Sequence, residues 1–256
     1  MGLIIGIDLG TTFSSVAVLD KFGKPDILAN REGERLTPSV VLFDNDTPLV
    51  GQLALNQARH SPLDCVQFVK RYMGDKSWKY VSNSDEIYTP EDISALILKK
   101  LKEDAEAALN ISITDAVITV PAYFNDTQRK ATKDAGTIAG LNVVKMINEP
   151  TAAALAYGIT KASEPQTILV YDLGGGTFDV TIMKLAEGHL DVITTSGDRH
   201  LGGFDWDNAL MDLINEEFKK ETKIDLLEDV TLAQDLRDKA EIAKKALSTR
   251  AVRMYS

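Results

Sequence analysis

Apolar and polar positions along the chain follow two repeating patterns, which predict strands and helices in alternation. Residues 3–8 are apolar and residues 13–19 alternate, and the Gly/Thr turn between them is typical of a β-hairpin. The other segments with a strand pattern are residues 27–30, 40–43, 116–120, 141–147, 167–171, 178–185 and 190–195. Because strands alternate with helices after residue 110, the sequence predicts an α/β fold with a mixed sheet.

The clearest helix begins at Thr89. Thr89 is suited to the N-cap, Pro90 occupies the first helical position, and two acidic residues follow in the first turn. An apolar face then continues to about Leu109, through Ile93, Leu96, Ile97, Leu101, Ala105 and Ala108. The other predicted helices are residues 52–59, 63–72, 151–157, 203–220 and 231–247, with one more that starts at Asn125. In the helix at 203–220 we expect one buried stripe, formed by Trp206, Leu210, Leu213, Ile214 and Phe218.

Two segments of the chain repeat one arrangement, and both are suited to binding phosphate. Residues 6–18 read GIDLGTTFSSVAV, and residues 170–182 read VYDLGGGTFDVTI. In each segment a strand ends in an aspartate, Asp8 or Asp172, and a Gly/Thr turn leads into a second strand. Glycine lets the backbone approach a ligand closely, and consecutive N–H groups in such a turn bind anions. A carboxylate beside phosphate requires a cation between them, so the duplication predicts two similar lobes that clamp a nucleotide–metal complex.

Other interpretations of these turns are weaker. A single turn of this type is usually only a hairpin, whereas two matched copies favour a shared ligand. The chain contains neither G-x-x-x-x-G-K-[ST] nor G-x-G-x-x-G, so the signatures of P-loop and dinucleotide-binding proteins are both missing.

Composition and charge exclude several further classes. The net charge of −10 argues against non-specific nucleic-acid binding, which needs a basic surface. Cys65 is the only cysteine, so an intramolecular disulfide and a cysteine zinc site are both excluded. The three histidines show no ligand spacing. With no leader peptide and no apolar run of membrane-spanning length in the sequence, we expect no membrane partner and a cytoplasmic location.

The polar, proline-terminated segment at residues 160–165 is the best domain boundary in the sequence. We therefore predict a first lobe at residues 1–162, with an outer part at about 37–89, and a second lobe at residues 163–256. Residues 251–256 alternate like a strand that has no partner after it. This pattern predicts that the second lobe is incomplete.

Four further motifs accompany IDLGTT and DLGGGTFDV, at residues 30–39, 120–126 (VPAYFND), 147–154 (INEPTAAA) and 197–203 (GDRHLGG). With them, the whole chain resembles the ATPase domain of the seventy-kilodalton heat-shock (DnaK-type) chaperones, which act in the stress response. The resemblance implies an actin-like (ribonuclease H-like) ATPase fold, with two lobes around a cleft that binds ATP or ADP with Mg²⁺. It also implies that the domain continues beyond residue 256 into a peptide-binding domain for unfolded polypeptides, with a J-domain co-chaperone and a nucleotide exchange factor as partners. For the chain by itself we therefore expect weak ATP binding and little turnover.

The resemblance also assigns roles to residues of both turns. It implies that Asp8 and Asp172 hold Mg²⁺ through water. The phosphate-binding residues that it implies are Gly10, Thr11, Thr12, Gly174, Gly175, Gly176 and Thr177. Lys70 is implied to contact the γ-phosphate and the attacking water, and Glu149 is implied to lie near that water. Asp172 and Thr177 complete the implied catalytic group, and Asp179 is a carboxylate of secondary importance.

On the nucleoside side of the cleft, the resemblance implies cofactor contacts from Gly202, Gly203, Glu241, Lys244, Lys245 and Ser248. Lys245 stands where the family has arginine, which removes planar stacking on the base. Without the resemblance, Lys70 is one lysine among many, Glu149 could equally cap the helix that follows it, and the α-helical residues near 244–248 would be a solvated face. Two alternatives to the chaperone remain: an actin-like sugar kinase, and a truncated paralogue that acts by protein interaction alone.

Overall fold

The computed structural model describes residues 2–43, 47–58, 60–157, 164–186 and 189–250. The strands of the first half are β1 (Ile4–Asp8), β2 (Phe13–Leu19), β3 (Pro25–Ile27), β4 (Thr37–Pro38), β5 (Val41–Leu42), β6 (Leu49–Val50), β7 (Cys65–Val66), β8 (Tyr80–Val81), β9 (Ile87–Tyr88), β10 (Asp115–Val120) and β11 (Asn142–Asn148). The strands of the second half are β12 (Gln166–Leu173), β13 (Phe178–Ala186) and β14 (His189–Asp198). The helices are α1 (Gln52–Gln57), α2 (Pro90–Leu109), α3 (Asp126–Ile138), α4 (Glu149–Ala156), α5 (Gly203–Thr222) and α6 (Val230–Leu247).

The first sheet has the order β11-β10-β1-β2-β3, with β4 also paired to β2. Strands β1, β10 and β11 run parallel, whereas β1 and β2 form the predicted antiparallel hairpin, with Gly6 opposite Ala17. The alternate residues Ile5 and Ile7 of β1 are buried, which matches the period of a strand that buries one face. The hairpin therefore presents its turn, residues 9–12, at the edge of the sheet where β1 ends.

Helix α2 confirms the predicted start and most of the predicted apolar face, but Ala108, which was predicted on that face, is exposed. The Thr89 side chain accepts from the Asp92 N–H, and the Asp92 carboxylate accepts from the Thr89 N–H, so both members of a capping box are present. Asn110 ends the helix in the left-handed conformation with φ 54°. The helix buries Ile93, Ile97, Leu98, Leu101 and Ala105 against the first sheet, and Leu96 is partly buried beside them.

The helix predicted at residues 63–72 is wrong. Two short 3₁₀ turns, Pro62–Asp64 and Val69–Tyr72, flank strand β7, which pairs antiparallel with β5. Phe68 has a left-handed backbone with φ 58°, which a continuous helix does not permit. Pairing with a distant strand therefore overrides the local helical pattern. The strand predicted at residues 27–30 is also displaced, since β3 lies at Pro25–Ile27.

The second sheet is the antiparallel array β12-β13-β14, and its strands extend the predicted ones at their ends. Helices α5 and α6 pack on each other through Met211, Leu236 and Ala240. The predicted buried stripe of α5 is wrong, because Trp206 and Leu213 are 55% and 56% exposed. The residues of α5 that are buried are Asp207, Met211 and Asn215. Lys244 Nζ donates to Asp207 Oδ2, and Asn215 donates to Asp225, so charged partners on other segments compensate for the burial of these two groups.

Two sequence predictions fall outside the described residues: the boundary segment at 160–165, of which 160–163 are not described, and the strand at 251–256. The division into lobes at residues 1–162 and 163–256 stays a prediction. Among the helices that the structure describes, none combines the length and the apolar character needed to cross a membrane.

Candidate functional site

The first turn, between β1 and β2, is held in place by hydrogen bonds with two buried serines. The Gly10 N–H donates to Ser14 Oγ over 3.1 Å, and Ser39 Oγ donates to the Gly10 carbonyl over 2.8 Å. The Ser14 and Ser39 hydroxyls are 2.9 Å apart and share a further hydrogen bond. A Cβ added at Gly10 would lie 1.9 Å from the Phe13 carbonyl oxygen, so only glycine fits this tight turn.

The second turn, between β12 and β13, is fixed by backbone hydrogen bonds to the start of α5. The Gly174 N–H donates to the Thr177 carbonyl over 2.9 Å, which closes the turn. The Gly203 N–H donates to the Gly174 carbonyl over 3.0 Å, and the Phe204 N–H donates to the Gly175 carbonyl over 2.9 Å. A Cβ at Gly202 would lie 2.5 Å from the Gly176 nitrogen. Glycines on both segments therefore allow the backbone of α5 to approach the turn.

The two turns lie directly against each other, as their duplication in the sequence suggests. A Cβ at Gly175 would lie 1.8 Å from Thr12 Oγ1, and a Cβ at Gly176 would lie 2.3 Å from Thr11 Cγ2. Thr12 Oγ1 is buried, and within the described part of the chain it has no hydrogen-bond partner. Buried hydroxyls are almost always satisfied, so an unpaired one between two N–H-rich turns is suited to a ligand oxygen.

Lys70 and Glu149 form an ion pair near these turns. Lys70 lies in the 3₁₀ turn Val69–Tyr72, and Glu149 is the first residue of α4, directly after β11. The Lys70 ammonium donates to Glu149 Oε1 over 2.6 Å, and the two side chains are only 11% and 17% exposed. Burial raises the pKa of Glu149 against the opposing attraction of Lys70, and the negative charges of Asp8 and Asp172 raise that pKa further. The structure thus brings together four of the residues singled out from the sequence.

The remaining carboxylates lie at the strand ends beside the turns. Thr119 Oγ1 donates to Asp8 Oδ1 over 2.7 Å, and Asp172 is opposite Asp179 in the β12–β13 pairing. Thr177 Oγ1 donates to Asp179 Oδ2 over 3.1 Å, although burial raises the pKa of Asp179 overall. Among the described residues, no cluster of three or more acidic, histidine or cysteine side chains is arranged to hold a metal. Two carboxylates fit Mg²⁺, which retains several waters and takes phosphate oxygens as further ligands.

A cavity of about 480 Å³ extends from the turns along α6. Of the residues singled out from the sequence, it is lined by Thr11, Thr12, Gly174, Gly175, Gly203, Glu241, Lys244 and Lys245. Lys244 Nζ donates to the Gly203 carbonyl over 2.8 Å, which ties α6 to the second turn. Lys245 is mostly exposed and pairs with Glu241 over 2.8 Å. Ser248 is exposed at the end of α6 and does not line this cavity.

Several residues of the site were missed by sequence reasoning. Arg71 donates through Nε to the Gly176 carbonyl over 3.0 Å and forms an ion pair with Asp205. Phe68 contacts Phe204, with ring centroids 4.2 Å apart. These contacts join the Val69–Tyr72 turn to the start of α5, which is far away in the chain. No local sequence signal distinguishes Arg71 from its neighbour Lys70, so only the folded structure reveals this connection.

Comparison with known proteins supplies the family. A family model described as Hsp70 protein matches residues 4–83 and 75–255 of the chain. The matched regions contain both turns, the Lys70–Glu149 pair and helix α6. The chain belongs to the Hsp70 family.

Proposed function

We propose that this chain supplies the ATP·Mg²⁺ site of a DnaK-type chaperone: the parent protein binds ATP at the two turns and hydrolyses it, whereas the chain by itself binds ATP weakly and turns it over little. Hsp70 proteins are chaperones with an actin-like ATPase fold, and the family binds ATP or ADP with Mg²⁺. We also propose that the domain forms two lobes around a cleft, divided at residue 162. We further propose a cytoplasmic location and a coupling of nucleotide state to the binding of unfolded polypeptides, with a J-domain co-chaperone and a nucleotide exchange factor as partners.

The observation that carries the proposal is the contact between the two turns. Both turns carry threonine hydroxyls, Thr11 and Thr12 on the first and Thr177 on the second, and the unpaired Thr12 Oγ1 lies where the turns meet. A triphosphate placed here would accept hydrogen bonds from both segments, as anions do in concave backbone turns. The 480 Å³ cavity that continues along α6 is within the usual size of a ligand pocket and provides space for the nucleoside.

For hydrolysis, the residues of the chain act by positioning and by charge, because phosphoryl transfer needs little covalent help from a protein. Lys70 would neutralise negative charge that develops on the γ-phosphate. Glu149, held by Lys70, would accept a hydrogen bond from the attacking water and so orient it. Asp172 and Thr177 would complete the group around the reacting phosphate. When bound, Mg²⁺ supplies neutralisation of the phosphate oxygens, and Asp8 and Asp172 would hold it through its waters.

On the nucleoside side, Glu241, Lys244 and Lys245 line the cavity and are proposed to contact the ribose and base. Gly202 and Gly203 are proposed to let the backbone approach the phosphates. The exposure of Lys245 and its pairing with Glu241 fit the loss of stacking expected when lysine replaces arginine. Ser248, at the end of α6 and outside the lining of this cavity, is also proposed to contact the nucleoside.

Two measurements test the proposal. Calorimetry with ADP, with and without Mg²⁺, should show metal-dependent binding; no binding in either condition would leave the paralogue that acts by protein interaction alone. ATP turnover should be independent of added hexose. Turnover that appears only with a hexose, together with a phosphorylated sugar, would identify a sugar kinase instead.

A further inference from the structure

The segment that carries Lys70 contacts the start of α5, which is far away in the chain. Phe68 and Arg71 stand on either side of Lys70 in sequence, and both reach the first turn of α5. The ring centroids of Phe68 and Phe204 are 4.2 Å apart, and the Arg71 guanidinium lies 5.2 Å from the Phe204 centroid. The first turn of α5 therefore contacts the Lys70 segment both before and after the lysine.

Arg71 and Asp205 form a largely buried ion pair with two hydrogen bonds. Their side chains are 8% and 26% exposed. Arg71 Nη1 donates to Asp205 Oδ1 over 3.2 Å, and Arg71 Nη2 donates to Asp205 Oδ2. Two such bonds between planar groups fix the direction of the guanidinium as well as its distance from the carboxylate. Because a buried guanidinium needs a counter-ion, the position of Asp205 decides where Arg71 lies.

The backbone of Phe68 is strained, two residues before Lys70. Its φ of 58° lies in the left-handed region, which is uncommon for a bulky residue. Such conformations persist only where the surrounding structure imposes them, and they cluster at functional sites. The Phe68 ring packs on Phe204, and Val69, the next residue, is buried in the core. The shape of the segment that leads to Lys70 is therefore imposed by its tertiary contacts.

The position of the Lys70 ammonium depends on where this segment lies. The lysine side chain is a flexible four-carbon stem, so its reach is set by its backbone and by Glu149, to which it donates. On one side, Val69 and Met73 pack in the hydrophobic core. On the other side, the Arg71–Asp205 pair holds the segment against α5.

The second turn is attached to α5 by a separate set of contacts. The Gly203 and Phe204 N–H groups donate to the carbonyls of Gly174 and Gly175. The Asp205 side chain takes no part in these backbone bonds, and it does not line the cavity along α6. Loss of the Asp205 carboxylate should therefore loosen the Lys70 segment and leave the second turn in place.

We propose that Asp205 is a positioning residue for ATP hydrolysis, which holds Lys70 at the γ-phosphate through its ion pair with Arg71. The proposal rests on the proposed ATPase function, in which Lys70 neutralises charge on that phosphate. Asp205 acts only through Arg71, and the packing of Phe204 on Phe68 supports the same arrangement from the other side of Lys70. Asp205 should consequently affect the rate of hydrolysis more than the affinity for nucleotide.

The test measures single-turnover ATP hydrolysis and ADP affinity in the complete parent domain. Asp205→Asn should slow hydrolysis by about tenfold or more, because a small misplacement of a catalytic group is costly. The affinity for ADP with Mg²⁺ should change by less than about threefold, since the second turn keeps its own contacts. Asp212→Asn is the matched control: Asp212 is exposed on the same helix, and its replacement changes the net charge equally.

Two further variants separate positioning from a general structural role. Added to Lys70→Ala, Asp205→Asn should cause no further slowing, because a residue that acts through Lys70 has no effect once the ammonium is gone. Arg71→Lys should resemble Asp205→Asn, because lysine keeps the charge but loses the planar donor group. Urea unfolding shows which variants are folded, and Arg71→Lys decides the matter if Asp205→Asn is not.

The outcomes distinguish this proposal from the proposed function. If the unaltered domain neither binds ADP nor hydrolyses ATP, the proposed function itself is overturned. If the unaltered domain is active and Asp205→Asn hydrolyses ATP as fast as Asp212→Asn, the positioning role alone is overturned. Equal slowing by Asp205→Asn with and without Lys70, or an equal loss of hydrolysis and ADP affinity, would also overturn that role.

Discussion

Replacement of Gly175 by alanine tests whether close contact of the two turns forms the nucleotide site. Neither Gly174 nor Gly175 has a positive φ, so the alanine backbone is allowed at both positions. The added Cβ meets different surroundings. At Gly175 it would lie 1.8 Å from Thr12 Oγ1 and 2.8 Å from Thr12 Cβ, whereas at Gly174 its nearest neighbour is the Thr177 carbonyl oxygen at 3.6 Å. Gly174→Ala is therefore a matched control with the same chemical change and no clash.

The magnitude follows from the cost of overpacking. Rotation of the Thr12 side chain can move Oγ1 away, but it leaves the 2.8 Å approach between the two Cβ positions, so the turns must separate. Forcing an extra methyl group into a packed site costs about 1–3 kcal/mol. If nucleotide binding requires the turns in their close arrangement, Gly175→Ala should weaken ADP binding by about fivefold to about 160-fold. Gly174→Ala should change the affinity by less than about twofold, because its contact is an ordinary one.

Calorimetry with ADP and Mg²⁺ provides the affinities, and urea unfolding of both variants shows whether either has lost global stability. Weaker binding by Gly175→Ala, with unfolding free energies that match in the two variants, would support the proposed site. Equal affinities of the two variants for ADP would refute the proposed site, because they would show that nucleotide binding does not require the close contact between the two turns.

Three further changes test separate parts of the site and the fold. In the complete parent domain, Lys70→Ala should slow single-turnover ATP hydrolysis by roughly 2.7–4 kcal/mol in activation free energy, because the ammonium stabilises charge that forms in the transition state; Lys130→Ala, at an exposed lysine, is the control. In the same complete domain, Asp8→Asn should weaken ADP binding by about 1.5–3 kcal/mol in Mg²⁺ and much less without it, as calorimetry would show. A hydrogen bond from Lys219 lowers the pKa of Asp225 from 3.8 to about 2. The stability contributed by ionised Asp225 is therefore present above pH 3.8 and lost as the pH falls toward 2, and Asp225→Asn should lack this acid dependence in urea unfolding.

Each of these expectations has a contrary outcome. A loss of hydrolysis below about fivefold for Lys70→Ala would remove that residue from the proposed catalytic group. Unaltered metal dependence in Asp8→Asn would place the metal elsewhere. If the unfolding free energy of Asp225→Asn and that of the unaltered protein change equally between pH 3.8 and about 2, the Lys219 contact does not stabilise the fold.

The sequence was sufficient to predict those elements whose start or end is marked by residues within or next to the element itself. Thr89 and Pro90 mark the start of α2, and the capping box explains why this prediction held. The β1–β2 hairpin was found because its strands are adjacent in sequence and its turn is rich in glycine and threonine. The duplicated hairpin then indicated a shared ligand, and the structure places the two turns in direct contact.

Local signals failed where distant segments decide the outcome. The pattern at residues 63–72 favours a helix, but Cys65 and Val66 pair with β5, and this pairing divides the segment. In α5 the apolar residues indicated the wrong buried face. Asp207 and Asn215 can be buried there because Lys244 and Asp225, which lie outside the helix, form hydrogen bonds with them. The Arg71–Asp205 pair was missed for the same reason, since each residue gains its role only from a partner distant in sequence.

The most direct test of the central claim is a crystal structure of the protein with ADP and Mg²⁺. We predict that phosphate oxygens accept hydrogen bonds from residues 10–12 and from residues 174–177, with Mg²⁺ held through water by Asp8 and Asp172. The nucleoside should extend into the cavity along α6, toward Glu241 and Lys244. A nucleotide bound at another surface, or phosphates that contact only one of the two turns, would contradict it.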